Sequence, residues 1–250
     1  MKIKTMNSFL ISNTNAKGPG FGLFSPTHLF ILFLLAVLIF AISHYYRKSN
    51  PTQRMNIRIF LALFIIFIEV VRDIILVMTG QFTSGDWPFQ LCGVGIFIVA
   101  YDAWSTDYTS QSLLYSLTLP GALAALITPD WVANNSVNFF VWQSFLIHAL
   151  LVGYVLMQLI ARELYPDFRQ LWRVVIFLFI VTPLAALLNQ AWHQNFFFIQ
   201  TPVPGSPLEP VAQIFGSFYL LGMVLLIGFV WVIMYLPWSF SKVWKPKQTN

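Results

Sequence analysis

The sequence predicts an all-α membrane protein, a bundle of seven transmembrane helices, from its composition, its apolar runs and the placement of its basic residues. Hydrophobic residues make up 58% of the 250-residue chain and charged residues only 9%, and the mean hydropathy is +0.71. A soluble domain has roughly 25% charged residues, so we expect one membrane domain and no separate soluble domain. The net charge of +5 comes from basic residues in short loops and tails, as membrane topology requires. We therefore expect no nucleic-acid partner.

Seven apolar windows approach the roughly 20 residues that a helix needs to cross a bilayer. They lie at about 27–46, 57–79, 88–104, 112–128, 137–161, 173–191 and 211–237. The third and fourth windows are short and contain polar residues, which predicts that protein rather than lipid surrounds them. The long loop at 192–210 is rich in proline, so it should not form regular helix.

The loop charges predict the orientation of the bundle. Basic residues fall in the 47–58 loop, the 162–173 loop and the C-terminal tail, whereas the loops at 80–87, 129–136 and 192–210 contain neither Lys nor Arg. Basic loops stay on the cytoplasmic side, so the N-terminus should lie outside and the C-terminus in the cytoplasm. Only Lys2, Lys4 and Lys17 argue against this orientation. The predicted divisions are an extracytoplasmic segment at 1–26, a seven-helix domain at 27–238 and a basic cytoplasmic tail at 239–250.

Tryptophans lie at the ends of the predicted helices, where an interfacial belt is expected. They are Trp87, Trp104, Trp131, Trp172, Trp192 and Trp238. We interpret all six as membrane-interface residues rather than as ligand-stacking groups.

The second window carries three charged residues, Glu69, Arg72 and Asp73, on one helix face. Each alone at the bilayer centre would cost about 3 kcal/mol or more, so this face should point into the bundle. Two interpretations stay open. The residues form a structural ion cluster that fixes helix packing, or one carboxylate orients a catalytic partner or accepts its proton.

The third window contains the single cysteine of the chain, Cys92, in the run Trp87-Pro-Phe-Gln-Leu-Cys-Gly-Val94. Pro88 suits the first turn of a helix, which places Cys92 in the second turn, about 6–8 Å below the outer interface. The helix dipole favours the thiolate there, whereas apolar burial opposes it. A lone buried cysteine is usually a small hydrophobic residue. One cysteine also excludes an intrachain disulfide and a multi-thiolate metal site, and we expect neither metal nor cofactor.

The fifth and sixth windows carry His148 and Asn189. His148 shares a helix face with Ser144 and lies near mid-bilayer, where a histidine is either bonded to a neighbouring helix or functional. Asn189 is either a structural residue that hydrogen-bonds to a neighbouring helix or a catalytic hydrogen-bond donor. His28 opens the first window, and Pro120-Gly121 should bend the fourth.

These residues together suggest one polar pocket. His28, Asp73, Cys92 and Asn189 fall in the outer third to half of the predicted bundle, and Glu69 and His148 lie somewhat deeper. A thiol, a histidine and a carboxylate or amide are the groups needed for thiol nucleophilic catalysis.

The order of several short motifs resembles that of the YwaF-like bacterial membrane proteins, which are related to the transmembrane protein 164 family. The motifs are Phe24-Ser-Pro-Thr-His28, Glu69 with Thr79-Gly80, Trp87-Pro-Phe-Gln-Leu-Cys92, Gly121-Ala122 with Leu126-Ile-Thr-Pro-Asp130, His148 and Asn189. The resemblance covers about residues 24–237. It implies an acyltransferase that moves a fatty acyl chain between phospholipids, with Cys92 and His148 as the catalytic pair, in a bacterial plasma membrane. The loop from Phe196 to Ser206 and the following Ile214-Phe-Gly-Ser-Phe-Tyr219 depart from the family pattern, which bears on substrate choice.

The leading functional hypothesis is therefore lipid acyl transfer, with membrane lipids as partners. Cys92 attacks an acyl ester, and His148 acts as base and then as acid. Glu69 or Asp73 would orient a histidine, and Asn189 or His28 would polarise the acyl carbonyl. Helix rise separates Cys92 and His148 by roughly 8–10 Å in depth, so His28 is the alternative base.

The alternative hypothesis is a non-enzymatic protein, either a small-solute or ion carrier or a sensor subunit. Its intramembrane polar residues would be structural or would line a path. An enzyme needs Cys92 near a histidine in a cavity open to lipid, whereas a carrier needs polar residues from face to face. The predicted cytoplasmic half offers chiefly Asp102, which favours the enzyme. A homo-oligomer is compatible with the sequence.

Overall fold

The computed structural model describes residues 8–16, 20–132 and 134–240. Lys2, Lys4 and Lys17 lie outside the described residues, as does the predicted basic tail from residue 241 onward. Within the described ranges the chain is helical and forms no strand. The prediction of an all-α membrane protein is therefore confirmed in its fold class.

Nine α-helices account for most of the described chain, and we number them in order. They are α1 (Pro26–Lys48), α2 (Pro51–Met78), α3 (Leu91–Trp104), α4 (Tyr108–Leu113), α5 (Leu119–Ile127), α6 (Phe139–Ile160), α7 (Leu171–Trp192), α8 (Leu208–Phe215) and α9 (Tyr219–Phe240). A π-helical turn (Leu114–Thr118) joins α4 to α5, so these three pieces form one continuous rod.

Five helical segments of the described chain are long and apolar enough to cross a membrane. They are Pro26–Lys48, Tyr108–Ile127, Phe139–Ile160, Phe168–Trp192 and Leu208–Phe240. The remaining two predicted windows correspond to α2 and α3. α2 is long enough, with 28 residues, but its second half contains the charged residues Glu69, Arg72 and Asp73. α3 has only 14 residues. A multi-pass membrane protein is thus established, while seven crossings stay a prediction.

Side-chain caps explain where several helices begin. The Ser25 hydroxyl accepts the His28 N–H at the start of α1, and Pro26 occupies the first helical position. The Asn138 side chain accepts backbone N–H groups at the start of α6. Such caps supply acceptors for the unpaired N–H groups of a first turn.

Helix α6 forms the centre of the bundle and is buried on nearly every side, including Phe145, Leu151 and Val155. The peripheral helices instead expose large apolar side chains, as at Phe179 of α7 and Val224 of α9. A helix that is apolar all round is stable only when protein or lipid covers it. The exposed faces of α1, α7 and α9 therefore fit a lipid environment.

Several helix boundaries differ from their predictions: α2 begins at Pro51 rather than near residue 57, and the last window is divided into α8 and α9. α3 begins at Leu91 rather than at Pro88, so Cys92 is its second residue and not part of a second turn. The proline-rich loop contains a short 3-10 turn at Phe196–Phe198, and Pro210 lies in the first turn of α8, where its missing N–H breaks no hydrogen bond. Finally, α9 continues to Phe240, beyond the predicted start of the tail at 239.

The expected irregularity at Pro120-Gly121 is a π-helical turn just before the proline. Pro120 has no N–H to donate to the carbonyl of Ser116, four residues earlier. That carbonyl accepts the indole N–H of Trp231 from α9 instead, at 2.8 Å. The proline therefore creates an acceptor that attaches α9 to the π-helical turn.

Candidate active site

A cavity of about 500 Å³ lies between α3, α5, α6 and α9, at the end of the bundle where α3 and α6 begin. Its walls are mainly apolar. The turn Gly85–Gln90 and the segment from Phe197 to Leu208 contribute to its wall. Both Cys92 and His148 line this space, which we call the central cavity.

Cys92 lies within about one helical turn of the level of His148, because the contacts between α3 and α6 join residues 52 to 56 positions apart. A Cβ atom placed on Gly95 would lie 3.7 Å from Leu151, and the Gln158 amide donates to Asp102 at 3.0 Å. Residues 95 and 151, and residues 102 and 158, are each separated by 56 positions, as are 92 and 148. These contacts indicate a depth difference smaller than the expected 8–10 Å, because α3 begins near the level of the middle of α6 and not at its outer end.

The turn Trp87–Gln90 folds tightly against the start of α3, and this requires a glycine. A Cβ atom on Gly93 would meet the Pro88 backbone at 2.7 Å. The neighbouring Cys92 is half-buried and is the second residue of α3. The start of a helix, where N–H groups have no intrahelical acceptor, favours the thiolate, whereas burial among apolar side chains opposes it.

The imidazole of His148 has one nitrogen held and one nitrogen free. Nδ1 lies 2.6 Å from the backbone carbonyl of Ser144, and a carbonyl only accepts, so Nδ1 carries the proton in neutral histidine. Nε2 makes no hydrogen bond to any residue in the described ranges. The expected orienting carboxylate is replaced by a main-chain carbonyl, since neither Glu69 nor Asp73 is bonded to this ring.

The charged residues of α2 form a cluster beside the central cavity. Arg72 donates to Glu69 and to Asp73, each at 2.9 Å, and to Asp86 at 2.6 Å. Glu69 also accepts from the Gln143 amide of α6 at 2.8 Å. Glu69, Arg72 and Asp86 line the cavity. These contacts join α2, α6 and the turn before α3. The pairing also offsets the cost of placing charged groups inside the bundle.

Two other predicted site residues lie outside the lining of the cavity and use their hydrogen-bonding groups elsewhere. His28 is fully buried; its Nδ1 accepts the Phe24 N–H and its Nε2 donates to the Leu126 carbonyl, each at 3.0 Å. The Asn189 amide oxygen accepts the Phe196 N–H at 2.6 Å, and its amide nitrogen donates to the Phe196 carbonyl at 3.1 Å. Both residues therefore stabilise chain turns in this structure.

Three residues beside the site were not identified from the sequence: Asp86, Thr118 and Trp131. Trp131 was interpreted as an interfacial residue, but it is buried and stacks on His148 with ring centroids 5.0 Å apart at 25°. Its indole N–H and the Thr118 hydroxyl are buried without a hydrogen-bond partner in the described chain. The only sequence signal for Asp86 is an acidic residue next to the Trp87-Pro88 turn.

No hydrogen bond joins Cys92 to His148 in the described part of the chain, and no three His, Cys, Asp or Glu side chains there gather closely enough to hold a metal ion. The arrangement offers a thiol near a helix start and a free imidazole nitrogen in a shared apolar space. Nucleophilic attack assisted by a general base requires these two groups.

The model of the TMEM164 family matches residues 23–235, which is most of the chain. No curated protein and no solved structure matches it.

Proposed function

Because the chain belongs to the TMEM164 family, we propose that it is a membrane-embedded lipid acyltransferase with Cys92 as nucleophile and His148 as base. The observation that carries this proposal is that both residues line one apolar cavity, on neighbouring helices whose contacts place them within about one turn of the same level. Catalytic hydrogen bonds are often long in the absence of substrate and tighten when it binds.

The proposed topology has seven crossings, with the N-terminus outside and the C-terminus in the cytoplasm of a bacterial cell. α2 is about 42 Å long at 1.5 Å per residue, enough to cross the hydrocarbon core. Its charged residues bond to α6 and to the turn before α3, so they need not face lipid. α3 is short, but protein covers much of it, including Gly95 and Val99. Under this topology the central cavity lies in the outer half of the membrane.

The reaction has two balanced steps. The Cys92 thiol gives its proton to Nε2 of His148, and the sulfur attacks the carbonyl carbon of a phospholipid acyl ester. The C–S bond forms, the ester C–O bond breaks, and the imidazolium returns its proton to the departing alkoxide of the lysophospholipid. A second lysophospholipid then loses its hydroxyl proton to Nε2 and attacks the thioester, which breaks the C–S bond and restores the thiol.

The shape of the cavity suits an acyl chain. Met223, Leu226, Ile227 and Val230 of α9 line one wall, and their spacing places them on one helix face. Ligand pockets are mostly apolar with a few placed polar groups, and here those groups include Cys92, Gln143 and His148.

The carrier alternative has less support because the polar groups do not continue through the bundle. Asp102 is fully buried and accepts hydrogen bonds from Ser110, Tyr154 and Gln158 at 2.7–3.0 Å. It does not line the central cavity. A permeation path needs solvated polar groups from one face to the other, whereas this carboxylate is closed off by its donors.

The purified protein in nanodiscs, given a phosphatidylcholine with a labelled acyl chain and an unlabelled lysophospholipid acceptor, tests the proposal. The wild type should produce labelled diacyl acceptor, and Cys92→Ser and His148→Gln should lower the rate roughly 100-fold or more. Without acceptor, intact-mass spectrometry should show an acyl group on Cys92 that hydroxylamine removes.

His44→Gln is the matched control, because His44 is an exposed histidine of α1 that stacks on Phe40, away from the cavity. This variant should keep the wild-type rate. The proposal fails if labelled product forms equally with Cys92→Ser, or if neither product nor an acylated cysteine forms with any donor headgroup tested.

A further inference from the structure

The base His148 lacks the carboxylate partner that usually stabilises a catalytic imidazolium, which leaves its charged form dependent on other groups. Its only hydrogen bond within the described chain is from Nδ1 to the Ser144 carbonyl. When Nε2 takes the proton of the Cys92 thiol, a positive charge appears in a mainly apolar wall. A buried charge without compensation is costly.

The group that faces this charge is the indole of Trp131. Its ring lies almost parallel to the imidazole, with the centroids 5.0 Å apart at 25°. The face of an indole is the strongest cation–π partner among the protein aromatics, and the distance lies within the roughly 6 Å over which such contacts act. Phe145 packs edge-on against Trp131 at 5.4 Å and 84°, which fixes the orientation of the indole.

The cost of placing a tryptophan here supports a role for its ring face. Trp131 is 7% exposed, and its N–H has no hydrogen-bond partner in the described chain. Buried tryptophans normally find a partner for this N–H, and leaving it unpaired is unfavourable. A phenyl ring would avoid that cost, so packing alone does not account for the indole.

We infer that Trp131 is a positioning residue that stabilises the imidazolium form of His148 through its ring face, in place of the carboxylate of a catalytic triad. This inference rests on the proposed function for the role of His148 as base to Cys92. Trp131 thereby increases the fraction of the thiolate–imidazolium pair at neutral pH.

Other titratable groups surround His148, but none bonds to its ring. Glu69 and Arg72 lie on α2, Asp86 on the turn before α3, Cys92 on α3, Asp130 after α5 and His28 on α1. Glu69 and Asp86 are paired with Arg72, and both nitrogens of His28 are occupied. Their contributions are common to all variants at position 131, so a change caused by the indole can be separated from them.

The reactivity of Cys92 gives a direct measurement, because it is the only cysteine in the chain. The rate of modification by N-ethylmaleimide, an uncharged reagent, is measured as a function of pH for the full-length protein in nanodiscs. Trp131→Phe should slow the reaction at neutral pH, and Trp131→Leu should slow it further, by roughly 3- to 30-fold. The pH of half-maximal rate should move upward in the same order.

Trp142→Phe is the matched control, since Trp142 lies on α6, the helix of His148, is 40% exposed and does not line the cavity. It should leave the profile unchanged. In a His148→Gln background the Trp131→Phe substitution should have no further effect, because the imidazolium is absent. Thermal unfolding of each variant identifies any general loss of structure, and Trp131→Phe keeps the test valid if Trp131→Leu does not fold.

An unchanged pH profile in folded Trp131→Phe and Trp131→Leu would overturn the inference, as would an equal effect of Trp131→Phe with and without His148. The labelling needs no lipid substrate. A wild type that fails to transfer acyl groups would therefore refute the proposed function separately, while the reactivity profile still decides the role of Trp131.

Discussion

The polar side chains inside this bundle differ in whether all of their polar atoms form hydrogen bonds. His28 uses both ring nitrogens, and Asn189 uses both ends of its amide. His148 instead keeps Nε2 free beside a cavity. Buried polar groups are normally satisfied, so the free nitrogen supports the proposal of His148, rather than His28, as the base.

Replacement of Asn189 by leucine should destabilise the protein. The substitution leaves the buried N–H and carbonyl of Phe196 without their partners, which should lower the free energy of unfolding by about 2–4 kcal/mol. Chemical or thermal unfolding in detergent measures the change. The neighbouring Gln190 is exposed, so Gln190→Leu should have little effect. Equal stability of the two variants would show that the Phe196 turn does not depend on Asn189.

Replacement of Thr118 by valine should have the opposite sign. The Thr118 hydroxyl is buried without a partner in the described chain, and valine has nearly the same shape without the polar group. We expect the free energy of unfolding to rise by about 1 kcal/mol. Thr79→Val is the contrasting variant, because the Thr79 hydroxyl donates to Ile75 and accepts from Gln81 at 2.7 and 2.8 Å. A loss of stability at both sites would indicate that Thr118 has a partner.

At this scale the sequence could indicate reactive residues by type but not by environment. The single cysteine and the histidine in the middle of an apolar window can be recognised in the sequence, and both line the cavity. The partner of His148 is a main-chain carbonyl, which has no residue signature. Trp131 follows a helix end, so its position in the sequence matches that of an interfacial tryptophan, and only the packing of Phe145 and His148 reveals its burial.

At the scale of elements, the hydrogen bond between α9 and the π-helical turn predicts that substitutions of Trp231 and Pro120 have coupled effects on stability. Trp231→Phe removes the donor to the Ser116 carbonyl, which Pro120 cannot replace, so the free energy of unfolding should fall by about 1–3 kcal/mol. In a Pro120→Ala background residue 120 regains its N–H, and the same tryptophan substitution should cost clearly less. Unfolding of the two single variants and the double variant measures this coupling.

The exposed Trp172→Phe serves as a control for aromatic substitution and should leave stability nearly unchanged. Strictly additive effects of the Trp231 and Pro120 substitutions would contradict the explanation that Pro120 leaves the Ser116 carbonyl free for Trp231.

Proline and glycine in the fourth window signalled an irregularity, but periodicity could not show that the register change precedes the proline.

At the scale of the molecule, composition and the long continuous apolar runs predicted an all-helical membrane protein, because such a run satisfies its backbone in a bilayer by forming a helix. The arrangement of the helices was less predictable. α6 and α9 have similarly apolar sequences, yet α6 is central and α9 is largely exposed. Hydropathy does not distinguish a protein-covered helix from a lipid-covered one. Polar residues gave better guidance, since the fourth window is indeed mostly buried.

The proposed crossings of α2 and α3 can be tested with single cysteines in a Cys92→Ala background. Suitable exposed positions are Thr52 in the first turn of α2, Thr83 between α2 and α3, Ser105 after α3, and Val137 before α6. Seven crossings with the N-terminus outside place Thr83 and Val137 outside and Thr52 and Ser105 in the cytoplasm. A charged, membrane-impermeant maleimide should therefore label Thr83→Cys and Val137→Cys in intact cells, and the other two variants only after permeabilisation.

The alternating pattern is required because each helix crossing exchanges the side on which the chain emerges. If α2 ended inside the membrane and returned, Thr52 and Thr83 would be labelled from the same side. Labelling of Thr52 and Ser105 in intact cells, with protection of the other two, would instead reverse the orientation and place the central cavity in the cytoplasmic half. Since loop residues such as Asp86, Asp130 and Val203 line the central cavity, the side of the membrane that reaches Thr83 and Val137 is also the side nearer to the cavity and Cys92.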